Sequence, residues 1–275
     1  MNINNDYNKY FNEHEKYNST SLNLFWYQKY GKDAWSKGEN FGDYLSKVIT
    51  SEVALSLGLK KNNLSNKKLL AVGSILHFAN DDDIIWGSGI NGKIPNSNLK
   101  FKTLDIRALR GPLTKEVLDK RGLKTSNTFG DPAILLPNFF PQLKYNPIKN
   151  KIIVIPNLNE YQECLSLVNN VKLVSPMLHW SDILKEILTS EQVLTSSLHG
   201  LIISEAFGVP VSLFKPFGGE TMFKYEDYVE GTNRSLTKIP KSFLDGIKIE
   251  NGVSFSKPHF NKRELISTFP KDVFI

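Results

Sequence analysis

The segment TSSLHGLIISEAFGVP, residues 195–210, places a histidine where a predicted strand gives way to an apolar helix. The strand ends at Leu194, and His199 falls on the first turn of the helix. Ligands of open α/β sheets bind beyond the carboxyl ends of strands, where free helix N–H groups favour an anion such as phosphate. Histidine exchanges protons near neutral pH. The segment therefore predicts an anion site at which His199 transfers a proton; the alternative is a polar cap in the turn.

Arg110 lies in the segment RALRGPLTKEVL, residues 107–118, directly before a predicted helix. Pro112 and Thr114 mark the start of that helix, with Thr114 as its predicted cap. The planar guanidinium group offers a fork of donors that matches a phosphate or a carboxylate. Most arginines are exposed or structurally paired, so this segment alone is a weak indication of a site.

Two further segments next to predicted helices or strands carry charged side chains. In ENFGDYLS, residues 39–46, Asp43 stands at a helix start, where an acceptor contact and a simple helix cap are equally good interpretations. The segment KPFGGETMFKYEDY, residues 215–228, follows a strand of the second half of the chain. Either Lys215 or Lys224 could therefore return to the carboxyl ends of the strands and contact the same ligand.

Two acidic residues have a structural interpretation beside a functional one. Glu205 is the single charge in the apolar helix that begins near His199, so it is either a site residue or a carboxylate tied to neighbouring backbone. Asp131, in the segment GDPAILLP, is interpreted as the cap of a turn and is assigned no chemistry.

A dinucleotide-binding site is not expected, although IIWGSGING, residues 84–92, contains the pattern G-x-G-x-x-G after a strand. That pattern requires a helix to follow, and Pro95 with its polar neighbours cannot lie inside one. The glycines are better explained by a close approach of backbone to a neighbour or ligand. Patterns typical of a P-loop, a G-x-S-x-G nucleophile or a His-rich metal site do not occur either, so no metal is expected.

Short apolar runs alternate with helix-like segments along most of the chain. Continuous apolar runs are typical of buried parallel strands, and their alternation with helices predicts an α/β fold with a parallel sheet in each half. A polar stretch with three prolines, over residues 137–151, indicates a boundary. We therefore predict a polar arm over 1–21, an N-terminal domain over 22–145 and a C-terminal domain over 146–275 that includes a terminal helix.

The composition limits the classes of partner. The chain has 275 residues and a formal charge of +6, and its lysines are scattered rather than concentrated on one element. Such a distribution suits anionic substrates or an anionic membrane face and argues against a nucleic-acid binder. Cys164 is the single cysteine, and no apolar run is long enough to cross a bilayer. These features favour a cytoplasmic protein, with peripheral contact at the inner face of the membrane as an option.

The segments NFGDYLS, GSGI, RALRGPLT, GDPAILLP, SSLHGLIISEAFGVP and FKYEDY occur in this order, followed by a terminal helix that ends in Phe-Pro. Together they resemble the polysaccharide pyruvyl transferase family over about residues 22–270. The resemblance implies two Rossmann-like domains that face a cleft, as in GT-B glycosyltransferases. It also implies transfer of the enolpyruvyl group of phosphoenolpyruvate to a sugar, with a pyruvate ketal as the usual product and phosphate released. Phosphoenolpyruvate is then a co-substrate, and no cofactor is expected.

The resemblance also implies roles for particular residues. The family histidine matches His199 and the arginine of its R-G-P-L-T segment matches Arg110, while a family lysine matches Lys224 better than Lys215. We therefore expect His199, Arg110 and Lys224 to be catalytic. The expected donor-binding residues are Arg110, Ser197, His199, Gly200, Lys215 and Lys224, and the expected acceptor-binding residues are Asn40, Asp43, Gly89 and Glu205.

The acceptor implied by the resemblance is a lipid-linked or nucleotide-linked sugar of a surface polysaccharide. Two other functions are compatible with the sequence. A GT-B-type glycosyltransferase that uses a nucleotide sugar would share the predicted architecture. A member without activity that only binds sugar would share it too.

Overall fold

The structure is a computed structural model. It describes residues 24–25, 40–59, 67–167 and 171–273. The predicted polar arm lies outside these residues. Of the strand predicted over residues 22–27, the described part is β1, Leu24–Phe25, and it is extended as expected.

Two four-stranded parallel sheets form the framework. The first sheet contains β1, β2 (Leu69–Leu70), β3 (Ile84–Trp86) and β4 (Asp105–Ala108), which are neighbours in chain order. The second contains β5 (Ile148–Ile155), β6 (Lys172–Leu173), β7 (Ser190–Thr195) and β8 (Val211–Leu213), in the order β6-β5-β7-β8. The predicted α/β class with a parallel sheet in each half is confirmed, and the arrangement is consistent with Rossmann-like units.

Helices connect the strands. In the described part of the chain they are α1 (Phe41–Ser56), α2 (Pro112–Lys120), α3 (Leu136–Phe139), α4 (Tyr161–Leu167), α5 (Trp180–Leu188), α6 (Leu198–Phe207), α7 (Phe223–Gly231) and α8 (Lys262–Ser267). The α6 helix has the predicted bounds and ends at Gly208, whose φ of 73° suits glycine. No sequence pattern had indicated α7, because its buried residues alternate irregularly with charged ones.

The predicted cap Thr114 is wrong, and a histidine caps a second helix. The α2 helix begins at Pro112 with Gly111 as its cap, and the hydroxyl of Thr114 donates instead to the carboxylate of Asp227, 2.7 Å away. The α5 helix is capped by the side chain of His179, which accepts the N–H of Ser181. Asp227, the partner of Thr114, lies 113 positions away in sequence, whereas His179 stands directly before α5.

The apolar core continues across the predicted domain boundary. One cluster of buried side chains joins α1 and the first sheet to α5 and α6 of the second half. The N–H of Phe41 also donates to the carbonyl of Pro176 at 3.0 Å. From the end of the chain, the carbonyl of Leu265 accepts a hydrogen bond from the indole of Trp86, 2.9 Å away. The two halves therefore share the largest cluster of buried apolar side chains, beside a smaller cluster within each half. None of the helices in the described ranges has the length and apolar character needed to span a membrane.

Candidate active site

A cavity of about 360 Å³ lies at the carboxyl ends of strands from both sheets. Its wall includes Ser74 after β2, Lys93 after β3, Asn157 after β5 and His199 after β7. The carboxyl ends of parallel strands are the usual position of ligand sites in α/β proteins. Both halves of the chain therefore contribute to one cavity at the position that the sequence predicts.

The turn between β7 and α6 positions His199. Thr195, the last residue of β7, accepts the N–H of Ser197 at 2.9 Å, and its hydroxyl donates to the carbonyl of Ile155 on the neighbouring strand at 2.7 Å. The hydroxyl of Ser197 caps α6 by accepting the N–H of Gly200. Ser197 and His199 consequently line the cavity at the positive end of the helix.

Asp131 lies directly behind His199. Its Oδ2 is 3.7 Å from Nε2 of His199, and Asp131 is fully buried. Within the described residues, these two buried atoms have no hydrogen-bond partner. The other carboxylate oxygen accepts the N–H of Ala133, so the predicted turn cap is present. A carboxylate on this side favours hydrogen on Nε2, which leaves Nδ1 as the nitrogen available to a ligand.

The imidazole of His199 packs against Gly42, the second residue of α1. We call this contact the glycine seat. A Cβ atom at this position would lie 2.1 Å from Nδ1 of His199, far inside van der Waals contact. The side chain of Asn40 caps the same helix by accepting the N–H of Gly42 at 3.0 Å. Asn40 and Asp43 line the cavity beside His199, as expected for acceptor-binding residues, although their roles stay predictions.

Lys224 reaches the cavity from α7. Its ammonium group donates to Oε2 of Glu220 at 2.8 Å, and Lys93 from the first half is paired with Oε1 of the same carboxylate. Burial lowers the pKa of Lys224, although the charge of Glu220 opposes this change. Burial raises the pKa of Glu220, but the two lysines outweigh it and hold that pKa below its usual range.

Arg110 does not line the cavity, which differs from the predicted direct contact with the donor. Its side chain is fully buried and forms an ion pair with Asp227 at 2.9 Å. The guanidinium also donates to the carbonyl of Ile90 at 2.6 Å and to the hydroxyl of Ser74. Because Ser74 lines the cavity, Arg110 supports the wall from behind.

Four other predicted contact residues lie elsewhere. Gly89 packs on the guanidinium of Arg110, where a Cβ would be 2.5 Å from its central carbon. Gly200 packs against Thr195 beneath the turn. Lys215 is exposed just beyond β8 and does not line the cavity, which leaves Lys224 as the candidate lysine.

Glu205 is the fourth of these residues. It forms an ion pair with Arg234, and one of its oxygens accepts the hydroxyl of Tyr228 at 2.7 Å. A site role and a backbone contact were the two interpretations of this lone charge. The partners are instead two side chains that are distant in sequence, and Glu205 does not line the cavity.

Sequence reasoning missed several residues of the cavity. Lys93, Glu220 and Asn157 line it without having been singled out, and Asp131 had been assigned only a turn. The signal for Lys93 was its position next to the glycine-rich loop. Across the described ranges, no group of three or more His, Cys, Asp or Glu side chains is arranged to hold a metal ion.

The family model for polysaccharide pyruvyl transferases matches residues 1–215. The chain belongs to the polysaccharide pyruvyl transferase family. The matched residues include Gly42, Asp131 and His199. Glu220 and Lys224 lie beyond the match, and only the structure shows that they line the cavity.

Two individual proteins are similar to the chain at low sequence identity. The chain is 27% identical to the succinoglycan biosynthesis protein ExoV of Rhizobium meliloti (strain 1021) over 185 residues, which cover 63% of this chain and 57% of that protein. It is 25% identical over 205 residues to the uncharacterized protein L143 of Acanthamoeba polyphaga mimivirus, which covers 70% of this chain and 69% of that protein. The chain thus spans little more than half of ExoV. No solved structure matches the chain.

Proposed function

We propose that the protein transfers the enolpyruvyl group of phosphoenolpyruvate to a sugar of a surface polysaccharide or its precursor. The products are a pyruvate ketal and phosphate. The observation that carries this proposal is the placement of His199 and Lys224 in one cavity, with Asp131 behind the imidazole. Membership of the pyruvyl transferase family supports the reaction class. The name of ExoV, a succinoglycan biosynthesis protein, supports a polysaccharide acceptor.

Proton transfer by His199 is the first step of the proposed reaction. The imidazolium gives its Nδ1 proton to the methylene carbon of phosphoenolpyruvate, which makes C2 electrophilic. A sugar hydroxyl attacks C2 and loses its proton to the imidazole, so His199 returns to its starting state. The C–O bond to phosphate then breaks, and a second hydroxyl of the sugar adds to C2 to close the ketal. The proton of that hydroxyl leaves with phosphate or solvent.

The donor's two anionic groups match the charges of the cavity wall. Lys224 supplies an ammonium group, and the N-terminus of α6 supplies partly positive N–H groups beside Ser197. Arg110 acts indirectly in this proposal, because its donors are occupied by Asp227, Ile90 and Ser74.

The size of the cavity favours a small donor. At about 360 Å³ it lies near the lower end of the ~300–1,000 Å³ typical of small-molecule sites, which suits a three-carbon phosphate better than a nucleotide sugar. The acceptor then approaches from the side of Asn40 and Asp43. We further propose that the two halves face a cleft in the manner of GT-B enzymes, and that the sugar is carried by a lipid or a nucleotide. The formal charge of +6 supports peripheral contact with an anionic membrane face.

Ligand-dependent thermal stability tests the donor and the lysine together. Phosphoenolpyruvate should raise the melting temperature of the wild type and of Lys215→Met, and it should have no effect on Lys224→Met. Lys215 is the matched control because it is exposed and lies outside the cavity. Stabilisation by a UDP-sugar with no response to phosphoenolpyruvate would favour the glycosyltransferase instead.

Turnover tests the proton transfer. With phosphoenolpyruvate and a sugar acceptor, His199→Gln should release phosphate about 10²-fold more slowly than the wild type, because general acid–base catalysis contributes at least that factor. The melting temperature should be nearly unchanged, since the ring lies at the cavity wall. Near-normal turnover in this variant would remove His199 from the mechanism. Binding of phosphoenolpyruvate without turnover in the wild type would indicate a sugar-binding member.

A further inference from the structure

Inside the cavity, one carboxylate joins two lysines from the two halves of the chain. Glu220 bonds Lys93 through Oε1 and Lys224 through Oε2, and its side chain is only 4% exposed. Lys93 follows β3 in the first half, whereas in the second half Glu220 lies in the loop before α7 and Lys224 is the second residue of that helix. All three line the same cavity as His199. Two ammonium groups therefore flank one carboxylate in the cavity that His199 also lines.

The loop that carries Lys93 is built to hold this position. The side chain of Asn91 accepts the N–H groups of Lys93 and Ile94 at 2.9 and 3.1 Å, which fixes the turn. Gly92 has a φ of 74°, and a Cβ there would lie 2.5 Å from Thr221. A glycine is thus required for the loop to approach the segment before α7. The loop is the glycine-rich segment for which a dinucleotide role had been excluded.

Charge and shape suggest what the two lysines are for. The two lysines and Glu220 together carry a net charge of +1. A carboxylate and a phosphate both present a pair of oxygens to flanking donors, so Glu220 occupies the lysines as an anionic ligand would. Glu220 is ionised at neutral pH, because the lysines hold its pKa below the usual range despite burial.

We propose that Lys93 and Lys224 form a two-lysine clamp for the phosphate of the donor, and that Glu220 is the built-in anion that keeps the clamp charged and positioned before the donor binds. Lys93 is then a donor-binding residue supplied by the first half of the chain. The donor's phosphate competes with Glu220 for both ammonium groups. This inference rests on the proposed function for the identity of the donor, and on the described contacts for the phosphate site.

Binding of inorganic phosphate tests the clamp without requiring turnover. Titration calorimetry should show that Lys93→Met weakens phosphate binding about 10-fold or more, because a charge-assisted contact is lost. Lys100→Met is the matched control, since Lys100 is exposed in the same half and does not line the cavity. It should bind phosphate like the wild type. Wild-type affinity in Lys93→Met would overturn the clamp.

The variant Glu220→Gln tests the role of the carboxylate. Removing the competing anion should tighten phosphate binding several-fold, and its circular dichroism spectrum should confirm that it folds. Weaker binding by the folded variant would overturn the role of Glu220 as the anion that the donor displaces.

Turnover separates this inference from the proposed function. In an active enzyme, Lys93→Met should raise KM for phosphoenolpyruvate about 10-fold and change kcat much less. If the wild type binds phosphate through Lys93 but never consumes phosphoenolpyruvate, the proposed function fails and the clamp stands. If the wild type is active and Lys93→Met has an unchanged KM, the clamp fails alone.

Discussion

The two nitrogens of the His199 ring lie in different surroundings, and the difference depends on Asp131. Nε2 faces a buried carboxylate at 3.7 Å, while Nδ1 lies at the glycine seat beside the cavity. This is the arrangement expected of a histidine that must present one fixed nitrogen to a substrate. In the proposed mechanism Asp131 is a positioning residue, because it acts through His199.

We expect Asp131→Asn to lower kcat about 10-fold or more, with little change in KM for phosphoenolpyruvate. The amide keeps the oxygen that accepts the N–H of Ala133, so the turn remains, but it no longer favours hydrogen on Nε2. The measurement is phosphate release as a function of pH. A merely structural role for Asp131 would lower the melting temperature and leave both kcat and its pH profile unchanged.

The lowered pKa of Lys224 predicts that binding of the donor depends on pH. Burial lowers the pKa of Lys224 from the ordinary value of 10.5, so the ammonium form is lost at a lower pH than in free lysine. Since the charged form binds the anion, affinity for phosphoenolpyruvate should be full below the lowered pKa and should fall as pH rises through it, before 10.5.

Substitution identifies the group that titrates. Glu220, Lys93 and Arg110 are the other charged groups that act on Lys224. Lys224→Arg should retain affinity throughout this range, because a guanidinium stays charged. The measurement is calorimetric titration between neutral pH and pH ~11, a range that includes the ordinary pKa of lysine. An affinity of the wild type that is constant over this range would contradict the prediction.

Individual site residues were predictable to different degrees. His199 was recognisable because a histidine after a strand and at a helix start has a defined position relative to the sheet. Asp131 was not, because its proximity to His199 arises from packing between the turn at 131–135 and α6. Arg110 was predicted as a ligand contact from its residue type, its position before a helix and the family resemblance, whereas its partner Asp227 lies 117 positions away in sequence.

Among the elements, the contact between α1 and the start of α6 determines where the imidazole lies. Gly42→Ala should lower kcat roughly 10- to 100-fold, because the added methyl group would displace the ring from its productive position. The measurement is phosphate release, with circular dichroism to confirm the fold.

Gly122→Ala is the matched control for this substitution. A Cβ at Gly122 meets nothing within 4 Å, but its φ of 79° disfavours alanine. This variant should lose about 1 kcal/mol in the free energy of unfolding and keep its kcat. A kcat of Gly42→Ala equal to that of the wild type would show that the seat is not needed.

The elements themselves were largely readable from apolar patterns. Strands β2, β3, β7 and β8 and helix α6 occur where continuous apolar runs and turn residues predict them. Only the end of β5, Ile152–Ile155, forms an apolar run, because the first residues of the strand, from Ile148, are polar or exposed. Glu205 illustrates the same limit: a lone charge in an apolar helix is visible, but its partner Arg234 is not.

For the whole molecule, the shared core predicts cooperative unfolding. The largest apolar cluster contains residues of both halves, so neither half can lose its structure without exposing the other's buried surface. We expect one transition on heating. Trp180 is the single tryptophan of the second half, so in Trp180→Phe the fluorescence comes from the first half alone. This fluorescence should change at the same temperature as the circular dichroism of the whole chain. Two separate transitions would support the predicted domains over 22–145 and 146–275 as independent units.

The seating of His199 on Gly42 also restricts how such a protein can be recombined. In a chimaera that joins the first half of one relative to the second half of another, the histidine and the glycine against which it packs come from different proteins. It can be active only if the incoming first half brings a glycine, or an equally small surface, to the start of α1. Exchange of acceptor specificity between family members should therefore succeed more often through loops around the cavity than through whole halves of the chain.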